Sequence, residues 1–338
     1  AAKKRLTKED KKILEQRRKL EGSYPPDLVA CLQTTTDWLR QLGWSQPPGS
    51  ERVFYWRWRR TSALEVGAPK VRQKTVTAPP VEAMLLSMAT ASGNDHALPS
   101  VIRTLPQAEL LHRALVKAAC RHGDTPSAVL TGRDESGKPL TEPHRHAHLL
   151  PLDLDDDGHL DHILIWAPML LDASAQAAVR AVRTTFTKGG VGPLRLALVG
   201  SGSLAELRGL AGAYGEKLRD LIAPSSGTTE WTSVTPFVPP RYLKKRGKNT
   251  LEGQVIAELV TRGHPEPTAI SVLDPRSDAR LLRMRHFFRS RRQGQAAPVD
   301  IGFSVSLQFA KPIMGPLCLG YGCHFGLGTF TAIKSNAP

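Results

Sequence analysis

Residues 144–168 read HRHAHLLPLDLDDDGHLDHILIWAP, and the rest of the chain is organised around this stretch. Its two apolar runs, HAHLLPLD and HILIWAP, carry the leucine, isoleucine and tryptophan that suit a pleated, half-buried surface. Between them Asp157-Gly158 is a strong hairpin signal, because glycine reaches the positive φ of a tight turn. The segment is therefore read as an antiparallel β-hairpin.

On the N-terminal side, Thr104 and Pro106 open QAELLHRALVKAACRHG, where Leu110, Leu111, Ala114, Leu115, Ala118 and Ala119 recur at steps of three and four. This spacing predicts an amphipathic helix ended by Gly123. On the C-terminal side Asp172 caps a helix to about Phe186, Gly189-Gly190 breaks it, Leu194 to Val199 reads as a strand, and Ser203 with Glu206 marks another helix start. A second set follows: a strand near Ser233 to Val238, a helix from about Thr250 to Gly263, a strand at Thr268 to Leu273 and a long strand at Val299 to Ala310. In that last strand Ile301, Phe303, Val305, Leu307 and Phe309 alternate without a miss. Two successive mixed sets predict an α+β chain of tandem ferredoxin-like (RRM-like) βαββαβ units, about 81–230 and 231–338.

Residues 1–80 read differently. Thr7 with Asp10 starts a basic helix, KKRLTKEDKKILEQRRKLEG, stopped at Gly22. Its apolar positions Leu6, Ile13, Leu14 and Leu20 are too few for a core element, so a solvated extension is expected, with RNA contact as the sharper alternative. A helix at Leu28 to Leu42, a strand around FYWRWRR (54–60) and a linker ending at Pro79-Pro80 complete it.

The 338 residues include 46 Lys plus Arg against 31 Asp plus Glu, a formal charge of +15 that points to a polyanionic partner. No apolar run is long enough to span a bilayer, and no secretory signal opens the chain, so no membrane partner is expected. Cys31, Cys120, Cys318 and Cys323 show neither a CxxC pair nor a disulfide framework, which fits free thiols in a reducing cytoplasm.

The densest chemical cluster is His144-Arg145-His146-Ala147-His148. On an extended segment, positions i, i+2 and i+4 share a face and the three imidazoles point together. Three readings stay open. The cluster could hold zinc, completed by Asp161 and His162. It could move protons in phosphodiester cleavage. It could also be a polar strand end. Asp153-x-Asp155-x-Asp157-Gly158 matches the first half of a calcium loop, but Leu164 stands where a bidentate Glu is needed. A turn whose carboxylates face water or orient a histidine is the better account.

Positive charge concentrates in residues 241–292, where 13 Lys or Arg face 5 acids. Lys244, Lys245, Arg246 and Lys248 form one group, and Arg283, Arg285, Arg289, Arg291 and Arg292 surround His286-Phe287-Phe288 in another. Two basic groups interleaved with aromatics suit a phosphate backbone. Near the C-terminus, GPLCLGYGCHFGLGTF (315–330) sets glycines among apolar residues, as a Gly-rich bend in a hairpin or as a phosphate-facing loop.

GYGCHFGLGTF (320–330) resembles the glycine-rich C-terminal motif of the RAMP superfamily of CRISPR-associated proteins. Together with residues 144–168, TPFVPPRYLKKRG (235–247) and FFRSRR (287–292), it is similar to the repeat-processing endoribonuclease domain of the fused subunit of type I-G (formerly I-U) systems. The resemblance implies a tandem ferredoxin-like fold that binds CRISPR repeat RNA and cuts it without metal or other cofactor. The substrate's own 2′-hydroxyl would attack the adjacent phosphate, leaving a cyclic phosphate, and the guide RNA would stay bound among other subunits of a type I effector complex. The family's catalytic residues vary, so the choice rests on the cluster itself: His146 or His148 is expected as general acid or base, ahead of His144, His162 and His324. The two basic groups hold the repeat, and Gly320, Gly322, Gly326 and Gly328 approach its backbone beside His324. Residues 1–80 are too short for the family's handle-binding domain, so either the chain is a fragment or that domain is reduced to a remnant. Two rivals are a non-catalytic guide-RNA-binding subunit and a zinc-dependent hydrolase using His144, His146 and His148.

Overall fold

The structure, a computed structural model, describes residues 7–21, 27–44, 78–120, 127–142, 144–187, 192–210, 212–292 and 294–333, with the single positions 25, 51 and 190. The expectations placed on Leu6, Gly22, FYWRWRR, Gly123 and Gly189 lie outside the described residues. The chain divides into two compact units, residues 1–75 and 76–338.

In the first unit α1 (Lys8–Glu21) begins with the reciprocal cap read from Thr7 and Asp10: the Asp10 amide donates to Thr7 Oγ1 and the Thr7 amide to Asp10 Oδ2. Ile13 and Leu14 are exposed on it. The expected helix from Leu28 to Leu42 is two short ones, α2 (Leu28–Leu32) and α3 (Thr36–Gln41). Hydroxyl side chains compete with the helix ladder here. Thr34 Oγ1 bonds the Cys31 carbonyl, and Thr35 starts α3 by accepting from the Trp38 amide.

In the second unit β1 (Val81–Ala89), α4 (Thr104–Cys120), α5 (Ala128–Thr131), β2 (His148–Leu152), β3 (His162–Leu171), α6 (Ala173–Ala181), β4 (Thr184–Phe186) and β5 (Pro193–Gly202) build an antiparallel sheet of order β2-β3-β1-β5-β4. With β4 as an added edge, β1-α4-β2-β3-α6-β5 is a βαββαβ unit. The sequence pattern gives no sign of β1, yet it is the central strand. Met84, Leu86 and Met88 face α4 and α6, while Ala83 and Leu85 face the opposite core of Leu207, Leu218 and Ile222. A strand covered on both sides loses its alternation. The α4 stripe is confirmed in the burial of Leu111, Leu115 and Ala119. α6 stops at Ala181, not near Phe186, and its Asp172 cap accepts from the Ala175 amide.

After α7 (Leu204–Arg208), which carries the Ser203–Glu206 capping box, and α8 (Gly212–Ile222), the pattern repeats. β6 (Thr228–Ser233), α9 (Leu251–Thr261), β7 (Ala269–Val272), α10 (Ala279–Arg283), β8 (Val305–Ile313), β9 (Leu317–Cys318) and β10 (Thr329–Ala332) give a second antiparallel sheet of order β7-β8-β6-β10-β9. Taken as β6-α9-β7-β8-β10, its order matches the first, so the α+β tandem ferredoxin-like architecture stands. The second crossover helix is replaced by the glycine-rich segment, which contains one 3₁₀ turn at Cys323–Phe325. The expected strand near Ser233 to Val238 ends at Ser233, and Phe237 makes only an isolated bridge to Phe303. The long strand starts at Val305, not Val299, and Ile301 is 52% exposed. No helix among the described residues is long and apolar enough to cross a membrane.

The glycine-rich segment is the seam of the second unit. Gly320, Gly322, Gly326 and Gly328 all have positive φ, between +60° and +87°. A Cβ on Gly326 would stand 2.6 Å from Thr104 Cγ2 and 3.0 Å from Pro151 Cδ, so this bend seats the start of α4 and strand β2.

Candidate active site

The β2–β3 hairpin forms as read, but its loop is residues 153–161 and not a two-residue turn. His148 opens β2 and pairs with Trp166, whereas residues 144–147 form a bend outside the strand. The extended spacing expected for the three histidines is therefore absent. The bend brings the His144 carbonyl 3.2 Å from His148 Nε2.

The imidazoles converge all the same, on a fourth ring. His324 stacks on His146 at 3.8 Å between centroids and on His148 at 3.9 Å, and lies 5.7 Å from the nearly parallel His144. Its Nδ1–H donates to the Ala147 carbonyl. The Gly-rich motif pointed to His324 without showing that it would sit at the centre of the stack. His162 is at the other end of the hairpin, its Nδ1 3.0 Å from Asp161 Oδ1. It is four strand residues from the Trp166 position, roughly 13 Å away.

Burial separates the histidines chemically. His148 is 1% exposed, and desolvation holds its pKa at about 3. A neutral ring there donates to only one of its two carbonyl neighbours, His144 and Cys323. His324 is pushed well below the ordinary range by burial and by the neighbouring histidines. His144 is part-buried and also lowered, by desolvation and then by the Arg262 guanidinium. Arg262 Nη2 donates to His144 Nδ1 at 3.1 Å. Arginine has no acceptor, so the His144 proton is on Nε2.

Arg262 and His264 are candidate site residues that no sequence motif marked. Arg262 is nearly buried at the end of α9, paired with Glu258 at 3.0 Å and donating to Cys323 Sγ at 3.3 Å. With Gly263 at φ +77°, the chain turns His264 into the same region. Burial and Arg262 lower the His264 pKa. A cavity of about 570 Å³ between the two ferredoxin-like units is lined by His144, Arg145, Trp166, Arg262 and His264, among others.

No family model and no curated protein matches this chain. One solved structure is similar. It is "Csf5, CRISPR-Cas type IV Cas6 crRNA endonuclease", 17% identical, covering 75% of this chain and 100% of that one at a TM-score of 0.35.

The metal readings gain and lose specific members. His144, Cys323 and His324 have ligand atoms within 4.8 Å of one another, whereas His146 and His148 join no such group among the described residues. The Arg262 guanidinium, bonded to both His144 and Cys323, already places a cation there, and a second would have to displace it. In the hairpin loop the carboxylates of Asp153, Asp155 and Asp157 also converge. Burial and neighbouring acids raise Asp153 to about 6. Asp156 turns outward to Lys217 and Arg280. Asp157 and Asp161 lie 3.2 and 3.0 Å from the Nδ1 atoms of His159 and His162 without hydrogen-bonding them, and accept instead from the His159 and Leu154 backbone amides.

The two basic groups differ. Lys244, Lys245, Arg246 and Lys248 are all exposed on a loop, as are Arg283, Arg285 and Arg292 in the second group. Arg289 is 15% exposed and bonded to Asp300 and to the Arg285 and Phe287 carbonyls. Arg291 pairs with Glu109 and stands 4.4 Å over the Phe325 ring. The glycine amides are engaged inside the protein: Gly320 N–H on Glu258, Gly326 N–H on the Cys323 carbonyl and Gly328 N–H on the Pro236 carbonyl. Those three are not available to the phosphate expected from the sequence.

Proposed function

We propose that this protein binds CRISPR repeat RNA and cuts it without metal, by attack of the substrate's 2′-hydroxyl, and stays with the guide RNA in an effector complex. The observation that carries the reading is the pair of part-buried, neutral-tending histidines, His144 and His264, set with two arginines in one cavity between tandem ferredoxin-like units. The nucleophile belongs to the RNA, so the protein need only hold an in-line geometry, move protons and stabilise charge on the phosphorane. His264, neutral at pH 7, takes the proton of the 2′-hydroxyl as that oxygen bonds to phosphorus, and as the P–O5′ bond breaks the leaving 5′-oxygen takes a proton from water and departs as a 5′-hydroxyl. His144 donates from Nε2 to a phosphate oxygen, its tautomer fixed by Arg262. Arg145, exposed at the rim, faces the charged backbone. His148 and His324 serve as the packed support for His144 rather than as proton shuttles. Residues 1–80 and the two halves 81–230 and 231–338 keep their proposed roles as a reduced handle-binding segment and the nuclease halves.

The test is cleavage of end-labelled repeat RNA in excess chelator. Wild type should yield a cyclic-phosphate end, and a single 2′-deoxy substitution at the cut should abolish it while leaving binding intact. His144→Ala and His264→Ala should each slow cutting by about 10²–10⁴-fold. Tight binding without any product would make the chain a non-catalytic guide-binding subunit. Activity lost in chelator and restored by zinc would favour the zinc hydrolase.

A further inference from the structure

A second and larger cavity, about 760 Å³, lies along the outer face of α4, against Phe288, Ser290, Arg291, Arg292 and Gly294. Its floor is apolar, with Leu110, Val116 and Phe325, and Phe288 stands at its edge, 44% exposed. Five cations line it, Arg103, Arg113, Lys117, Arg291 and Arg292, against one acid. That acid, Glu109, is already occupied by Arg291 Nε at 2.9 Å and by the Arg292 amide at 3.0 Å. Arg113, Lys117 and Arg292 have no acidic partner among the described residues. An apolar slot ringed by unmatched positive charge is complementary to a flat base carried between phosphates. It is poorly suited to an apolar peptide or an uncharged metabolite.

We propose that this cavity seats an unpaired base of single-stranded RNA, stacked on Phe288, with the flanking phosphates on Arg113, Lys117 and Arg292. The volume is within the range of about 300–1,000 Å³ typical of small-ligand sites. Phe325 links it to the histidine stack: its ring meets His112 edge-on at 5.5 Å and carries Arg291 on its face, while the preceding residue, His324, packs on His146 and His148. His148 also lines the histidine cavity, so the two cavities are joined through the packed rings of Phe325's neighbour His324 and His148. The inference deepens the RNA-cutting reading and rests on its RNA-binding half.

The experiment measures affinity of the full chain for three probes of one length: labelled oligoadenylate, its abasic counterpart with the same phosphates, and an RNA duplex. Wild type should prefer oligoadenylate over both. Phe288→Ala should weaken oligoadenylate by about 5- to 150-fold and leave the abasic probe unchanged, the range that base–aromatic stacking spans. Arg113→Ala with Lys117→Ala should weaken both single strands alike. Melting curves of the variants check folding, and since Phe288 is exposed they should match wild type. A preference that survives Phe288→Ala, equal binding of duplex, or displacement by polyglutamate but not by oligoadenylate, which would mark an acidic protein partner, overturns the proposal. If Phe288→Ala has no effect while repeat RNA is still cut, this inference fails alone. If repeat RNA is never cut but the base preference depends on Phe288, the nuclease reading fails and the pocket stands.

Discussion

The ring of His146 lies on the ring of His324, centroids 3.8 Å apart and planes 9° from parallel. With His148 at 3.9 Å from the same ring, the stack cannot carry several positive charges at once, and burial adds to that penalty. His148 and His324 are thus held neutral by burial and by the neighbouring histidines, which makes the stack sensitive to acid.

The sign follows from linkage. The ordinary histidine value is 6.5 and His148 in the folded chain is at about 3, so between those values the unfolded chain binds the extra proton. Stability is complete above the upper value and falls as pH is lowered through the window, by about 1.4 kcal/mol per pH unit for one such group. Thermal melting followed downward from neutral pH should therefore decline steadily, and His148→Leu should flatten the slope. A slope unchanged in that variant would remove His148 as its source.

The glycine-rich segment should behave as structure. Gly328 has φ +60°, and a Cβ there would be inside van der Waals contact of the Leu319 carbonyl. Gly328→Ala should therefore cost about 3 kcal/mol or more, through strain at a left-handed position and a backbone clash. Gly326→Ala also meets stiff neighbours, the buried Thr104 side chain and the Pro151 ring, but at 2.6 and 3.0 Å and not through backbone, so it should cost less. Denaturant unfolding ranks the two. Loss of RNA affinity at unchanged stability would instead return these glycines to an RNA-facing role.

What could be read in the sequence was local. The hairpin at 144–168, α4 and the Ser203–Glu206 box each carry their signal within a few residues. β1 escaped because both of its faces are buried, and α8, with Gly212 and Gly215, lacks a clean propensity signal. Ile301 continued an alternation that the structure ends, because pairing with β6 and β7 begins only at Val305 and Ser306. At the site, the HxHxH spacing was visible. The ring that gathers it comes from position 324, and the guanidinium that sets its tautomer from position 262, placed there by tertiary packing alone.

Arg262 is a positioning residue whose removal should act on both stability and pH response. Arg262→Met leaves the Glu258 carboxylate buried without its cation, at a cost of about 3–5 kcal/mol. Glu258→Gln in the same chain should recover part of it, since a glutamine oxygen still accepts from the Gly320 amide. Arg262 lowers His264, whereas at His144 its loss is partly offset by the loss of Glu258, which raises that group, so the double variant should show the acidic limb of the cleavage-rate profile set by His264 shifted to higher pH. A profile that keeps its position would mean that Arg262 is structural only.

The basic residues should divide by exposure rather than by charge. Lys244, Lys245 and Arg246 stand on a loop and take part in no ion pair among the described residues, so replacing all three by Ala should leave melting unchanged and weaken RNA binding. It should also reduce the slope of log affinity against log salt by about 0.7 for each single-strand phosphate that the protein then leaves un-neutralised. Arg289→Ala removes hydrogen bonds to Asp300 and to two backbone carbonyls, so it should lower the melting temperature with little change in that slope. Salt titrations beside melting curves separate the two. If the loop triple variant melted early while Arg289→Ala abolished the salt dependence, the RNA-contacting surface would lie on the Arg289 side and the 244–246 loop would be a structural support.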